Sequence, residues 1–150
     1  MDIVVIGDYG CGKTTLINRI ITGNFIEKYQ PTVGFVVRQD QTILRINWIE
    51  GAGDNRFRNI VDEQRIYESA RMCLIVHEND YVPNKSWESE FHKIAPKTTI
   101  IHVVNHFGEF IPQNDETHHS YHVSVKTGKG IYELVSGIGY LIGSLVASDA

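Results

Sequence analysis

Short unbroken apolar runs alternate along the chain with stretches in which apolar residues recur every three or four positions. Ile3–Ile6 is a continuous aliphatic run, the pattern of a strand buried on both faces. Lys13–Ile21 sets Leu16, Ile17, Ile20 and Ile21 at helical spacing, and Gly23-Asn24 ends that helix. Phe35–Arg38 and Thr42–Ile49 read as two strands around Asp40-Gln41, a hairpin. Residues 56–71 are polar with a weak helical period, and Met72–Val76 and Thr99–Val104 are again buried-strand runs. His122–Val125 reads as a short strand after a polar loop. A closing helix follows at Ile131–Val146, with Ile131, Leu134, Val135, Ile138, Leu141, Ile142 and Leu145 on its apolar face. Strands separated by helices predict βαβ units and an α/β fold, its sheet mainly parallel and covered on both faces. Ligands of such sheets bind at the carboxyl ends of the strands. With no repeat and no low-complexity linker, residues 1–150 are expected to form a single domain.

Composition narrows the class. With 14 Lys+Arg against 18 Asp+Glu and 42% hydrophobic residues, the chain is a globular domain with a real core, not a disordered segment. A net charge of −4 argues against a nucleic-acid partner, which requires a clustered basic surface. Two cysteines, Cys11 and Cys73, are too few for a disulfide scaffold, so a reducing, cytoplasmic setting is expected. No signal peptide, lipid anchor or good membrane span is expected; Ile131–Ala147 is interrupted by Glu133 and by several Gly and Ser.

The sharpest chemical signal is Gly7-Asp8-Tyr9-Gly10-Cys11-Gly12-Lys13-Thr14, which fits G-x-x-x-x-G-K-[ST] with a strand before it and an amphipathic helix after it. Glycines let successive N–H groups curl around a phosphate, and the helix N-terminus adds its dipole. Lys13 would reach the β- and γ-phosphates and the Thr14 hydroxyl would ligate Mg²⁺. A merely structural strand–helix turn would not require Lys followed by Thr.

From these residues onward the sequence resembles the Ras-like small GTPases, with Rab and Rho flavours, over nearly its whole length. Tyr29-Gln30-Pro31-Thr32-Val33-Gly34 looks like the effector loop, and Phe25 stands where the family has an aromatic against the guanine. Glu50-Gly51-Ala52-Gly53, followed by Asp54-Asn55-Arg56-Phe57, looks like the start of switch II, and Ser124-Val125-Lys126 resembles the motif beside the base. The resemblance implies a P-loop NTPase of Ras-like fold, with a mixed, mostly parallel six-stranded sheet and helices on both faces. It also implies a GTP/GDP switch with Mg²⁺ held by Thr14, Thr32 and Glu50. The nucleotide would be bound by Asp8, Tyr9, Gly10, Cys11, Gly12, Lys13, Thr14, Thr15, Phe25, Thr32, Gly53, Asn105, His106, Ser124, Val125 and Lys126. Effectors or regulators would engage residues 29–36 and 53–67.

Four departures bear on mechanism. Glu50 replaces the family's Mg²⁺-holding Asp and is one methylene longer. Asp54 replaces the Gln that positions the attacking water, adding negative charge beside the γ-phosphate, so hydrolysis is expected to be slow, with Asp54 and Lys13 its candidate catalytic groups. Tyr9 stands where a small residue is usual; it either crowds the γ-phosphate or swings out to solvent. Asn105-His106-Phe107-Gly108 occupies the place of Asn-Lys-x-Asp, which removes the acceptor that selects guanine; Glu109 is the substitute that spacing offers. The segments 79–98 and 108–121 are short for the family, so two peripheral helices are expected to be trimmed or lost. Such erosion is similar to that of a diverged viral or pathogen copy. Two rivals stay open: a pseudo-GTPase that presents an effector surface without turnover, and a P-loop NTPase with relaxed base choice.

Other residues carry weaker signals. His118, His119 and His122, with His102 and His106, either bind a transition metal or line a solvated loop. Cys11 either packs or, if its thiolate is favoured, is redox-sensitive. Gly139 and Gly143 either pack the last helix on the sheet or permit close contact with a second copy or a membrane surface. Trp48 and Trp87 read as packing or effector-surface aromatics.

Overall fold

A computed structural model describes residues 1–24, 34–39, 45–54, 56, 58–78, 86–108 and 111–148. The strands are β1 (Asp2–Gly7), β2 (Phe35–Gln39), β3 (Asn47–Gly51), β4 (Met72–Glu78), β5 (Thr99–Asn105) and β6 (Ser120–Val123). The helices are α1 (Lys13–Thr22), α2 (Ile60–Ser69), α3 (Ser86–Ile94) and α4 (Ile131–Ser148). The six strands form one sheet in the order β2-β3-β1-β4-β5-β6, parallel except for the edge strand β2, which runs antiparallel to β3. The β2–β3 pairing is the predicted hairpin; its Asp40-Gln41 turn and the stretch 42–44 lie outside the described residues.

Alternation along the central strands separates two cores. Ile3, Val5, Leu74, Val76, Ile101 and Val103 pack with Leu16 and Ile17 of α1 and with Leu134, Ile138 and Ile142 of α4. Val4, Ile6, Cys73, Ile75 and Ile100 pack with Tyr67 of α2 and with Trp87 and Phe91 of α3. Helices therefore cover both faces, and unbroken apolar runs are what a doubly covered strand requires.

The predicted face of α4 needs two corrections. Val135 is 41% exposed: one step past Leu134 turns the side chain about 100° off the buried stripe. Gly139 and Gly143 also face away, since a Cβ at either would meet nothing within 4 Å, so they do not serve packing on the sheet. α4 runs to Ser148 with mean hydropathy 1.4, long and apolar enough by those measures alone to cross a membrane, yet Leu134, Ile138 and Ile142 are buried against the sheet.

The trimming expected at the periphery is present. α3 has nine residues, and the β5–β6 connection carries only a single 3-10 turn, Glu116–His118, among its described residues. β6 begins at Ser120 and ends at Val123, two residues earlier at each end than its predicted span. The polar stretch with weak period is helical over Ile60–Ser69, started by the Asn59 side chain, which accepts a hydrogen bond from the Asp62 N–H.

Candidate functional site

The site is built where β1, β3, β4 and β5 end. β1 delivers the chain into the loop 8–12, and Gly12 opens α1 at φ +100°. A Cβ at Gly12 would lie 2.7 Å from Asn105 Nδ2, so glycine is required there both for backbone angle and for space. Lys13 is buried and folds back over the loop, its Nζ donating to the carbonyls of Gly7 (3.0 Å) and Asp8 (2.8 Å). These are bonds that an arriving phosphate would replace.

Thr14, one residue on, reaches across to β3. Its hydroxyl lies 2.5 Å from Glu50 Oε1 and 2.7 Å from Oε2, and Glu50 is fully buried. A hydroxyl and a carboxylate converging in this way are hard oxygen donors that fit Mg²⁺, which usually completes its octahedron with phosphate oxygens and water. With its extra methylene, Glu50 still reaches the Thr14 hydroxyl. Its carboxylate also receives Arg38 Nη1 from β2 at 3.4 Å.

Gly53 follows Glu50 on the same segment and lies against the phosphate loop. A Cβ there would come within 2.6 Å of Tyr9 N and 2.7 Å of Asp8 C and Gly7 O. Tyr9 itself stands half-exposed on the loop. Asp54 is tied to Arg56 by its backbone N–H at 2.9 Å and by its guanidinium at 2.6 to 3.1 Å, and these hydrogen bonds hold the carboxyl below the usual range.

Asn105 joins the two halves of the site. Its Nδ2 donates to Cys11 O at 3.3 Å, and its Oδ1 accepts from Val125 N at 3.2 Å, with Asn105 and Ser124 both buried. The loop 124–130 is closed by Ser124 N to Lys129 O and by Gly128 N to Ser124 O, each 2.8 Å, and Lys126 is exposed beside it. Thr15 is half-buried at the start of α1. His106 Nε2 lies 2.7 Å from His122 Nδ1, and Gly108 offers no side chain. Phe25, Thr32 and Glu109 lie outside the described residues, as do 29–33, 55 and 57 of the expected effector surface.

Of the two readings of the histidines, the metal site finds no support among the described residues. Among the described residues no three His, Cys, Asp or Glu side chains converge on a metal position. The rings instead pair across adjacent parallel strands, His106 with His122 and His77 with His102 (3.0 Å), while His118 bonds Asp115 at the surface. Cys11 is buried and burial pushes its thiol up to about 11, which opposes thiolate and favours the packing role. Trp48 and Trp87 are both core residues.

Two features had no sequence signal. Trp87 Nε1 donates to Asp8 Oδ1 at 2.8 Å, so α3 holds the first side chain of the phosphate loop from 79 residues away. Arg58 lies over the Trp87 ring, 4.7 Å from its centroid, and pairs with Glu63 at 2.6 and 2.9 Å, linking α2 to the same contact. His77 is the second. Burial, and then His102, lower it to about 4 from an ordinary 6.5. The folded state keeps His77 neutral while the unfolded chain takes a proton below 6.5, so stability falls as pH drops from 6.5 toward 4. After discounting for its partial exposure, the loss is about 1–2 kcal/mol, or several degrees of melting temperature. His77→Gln is expected to flatten that part of the Tm–pH curve; an unchanged slope would assign it to other groups.

A glycine-rich loop between a buried strand and a helix, with Lys and Thr at the helix start and a carboxylate opposite, defines a P-loop nucleotide-binding domain. The family model of the Ras of Complex (Roc) domain of DAPkinase matches residues 2–108. The chain belongs to the Ras-like GTPase superfamily, whose members are GTP-binding switches. It is 26% identical over 100 residues to the Ras-related protein RABG3b of Arabidopsis thaliana, covering 61% of this chain and 48% of that protein. It is 29% identical over 98 residues to Rab-7b of Paramecium octaurelia, covering 59% and 47%. It is 21% identical over 164 aligned positions to the GTP-binding protein YPT53 of Saccharomyces cerevisiae, covering 91% and 74%. The chain spans about half the length of most of these curated relatives.

Proposed function

We propose that this domain binds a guanine nucleotide with Mg²⁺ and acts as a switch with slow GTP hydrolysis. The observation that carries the reading is the meeting of Lys13, Thr14 and Glu50 at the strand ends, where a phosphate chain would lie. Lys13 would exchange the Gly7 and Asp8 carbonyls for β- and γ-phosphate oxygens. Thr14 and Glu50 would hold Mg²⁺, which neutralises charge on the phosphates. Asn105 couples the loop around the phosphates to the 124–126 turn expected beside the base. Asp54 is a poor water-positioning group while Arg56 occupies its carboxylate, which supports slow turnover. Ordering of Thr32 and Gly53 by the γ-phosphate would present residues 29–36 and 53–67 to an effector or regulator in the cytosol.

A second reading, relaxed base choice, is favoured by His106 being held by His122 and by the side-chain-free Gly108. Calorimetric titration of nucleotide-stripped protein with GDP, GTP and ADP, with and without Mg²⁺, separates the two. Guanine preference of about a hundredfold or more, roughly 2.7 kcal/mol, is expected for the switch. Equal affinity for ADP and GDP would establish relaxed choice, and no binding by folded protein would leave only an effector-like surface.

A further inference from the structure

We propose that Arg38 is a resident cation of the Mg²⁺ pocket, sharing the Glu50 carboxylate with the ion, so that nucleotide binding to this chain depends only weakly on Mg²⁺. The inference rests on the nucleotide reading above and concerns its metal requirement.

Glu50 places a fully buried carboxyl group at the end of β3. Glu50 is 0% exposed, and a buried charge is stable only when paired and hydrogen-bonded. The Thr14 hydroxyl lies within hydrogen-bond reach of both carboxylate oxygens, but it has one proton to donate and is neutral. Arg38 brings a positive charge to Glu50 from the sheet edge. Val36 stands opposite Glu50 in the β2–β3 register, and Arg38, two residues along β2, shares its face of the sheet. From there the guanidinium reaches Oε1 at 3.4 Å, with its side chain 26% exposed, so the stem enters the pocket from the rim. The longer arm of Glu50 lets one carboxylate meet α1 and β2 together.

A guanidinium keeps its charge at any working pH, and a carboxylate has about four acceptor positions, so ion and Arg38 can both be seated. Their charges repel, which weakens the ion; the same fixed charge draws phosphate without it. Linkage makes these one effect: the factor by which Mg²⁺ strengthens nucleotide equals the factor by which nucleotide strengthens Mg²⁺. Arg38 lowers that shared factor.

The test measures affinity for a fluorescent GDP analogue in excess Mg²⁺ and in EDTA. Wild type is expected to change by less than about tenfold, whereas R38Q, confirmed folded by circular dichroism, changes at least about tenfold more and R38K stays near wild type. If R38Q keeps the wild-type factor, Arg38 is only a structural partner of Glu50 and the proposal fails. A wild type that loses most of its affinity in EDTA overturns it without any variant, which keeps the test decisive should R38Q not fold. In both of those failures the nucleotide reading survives; absence of binding under every condition would remove that reading and this inference with it.

Discussion

Lys13→Ala is expected to abolish the rise in melting temperature that GDP and Mg²⁺ produce in the wild type. Lys13 is the buried cation of the loop, and its ammonium already lies within 3.0 Å of two carbonyls at the loop entrance. Charge-assisted hydrogen bonds to phosphate contribute about 1.5–3 kcal/mol each, so losing contacts to two phosphates costs about 3–6 kcal/mol. Returning the Gly7 and Asp8 carbonyls to water recovers part of this. The net expectation is an affinity loss of about a hundredfold or more, with a small change in the stability of the nucleotide-free protein. Differential scanning fluorimetry across a GDP titration measures both. A variant still stabilised at wild-type concentrations of nucleotide would show that the loop does not bind phosphate through Lys13.

Gly53→Ala is expected to produce a large loss of stability from a single methyl group. The three atoms nearest its Cβ, at 2.6 to 2.7 Å, are all backbone atoms of Gly7, Asp8 and Tyr9, so no side chain can turn aside. Either the segment after β3 lifts from the phosphate loop or the loop shifts, with an overpacking cost of about 1–3 kcal/mol. For a domain of this size that lowers the melting temperature by roughly 3–10 °C. Nucleotide affinity should fall with it, because Gly7 O also accepts from Lys13. Gly139→Ala is the matched control. Its Cβ would meet nothing within 4 Å in the middle of α4, so alanine should be neutral or stabilising by up to about 1 kcal/mol. Equal melting temperatures for the two variants would contradict the tight contact at Gly53.

The parts of the site that were legible are those with local grammar. The phosphate loop could be read because strand, glycines, Lys-Thr and helix are contiguous, and Asn105 and Ser124 because each ends or follows a strand run. Residues that act across the sheet could not. Trp87 read as a packing aromatic, and nothing in its neighbourhood pointed to Asp8. The sequence sets only His118, His119 and His122 near one another, whereas parallel strand pairing brings residue 102 beside 77, and 106 beside 122. The apolar period of α4 includes Val135 because spacing alone does not mark the edge of the buried stripe.

The order of apolar runs and the contiguous glycine, Lys and Thr residues were sufficient by themselves for the α/β class and the phosphate loop, since these follow from backbone periodicity and from neighbouring residues. The charge balance around Glu50 was not contained in that order. It depends on the register of the β2–β3 hairpin, which sets Arg38 and Glu50 on one face within reach of each other. The grip of α3 on Asp8 and the lowered proton affinity of His77 likewise required assembled strands and helices. Burial and electrostatic interaction are properties of groups brought together by folding, and a linear pattern specifies only which groups are available.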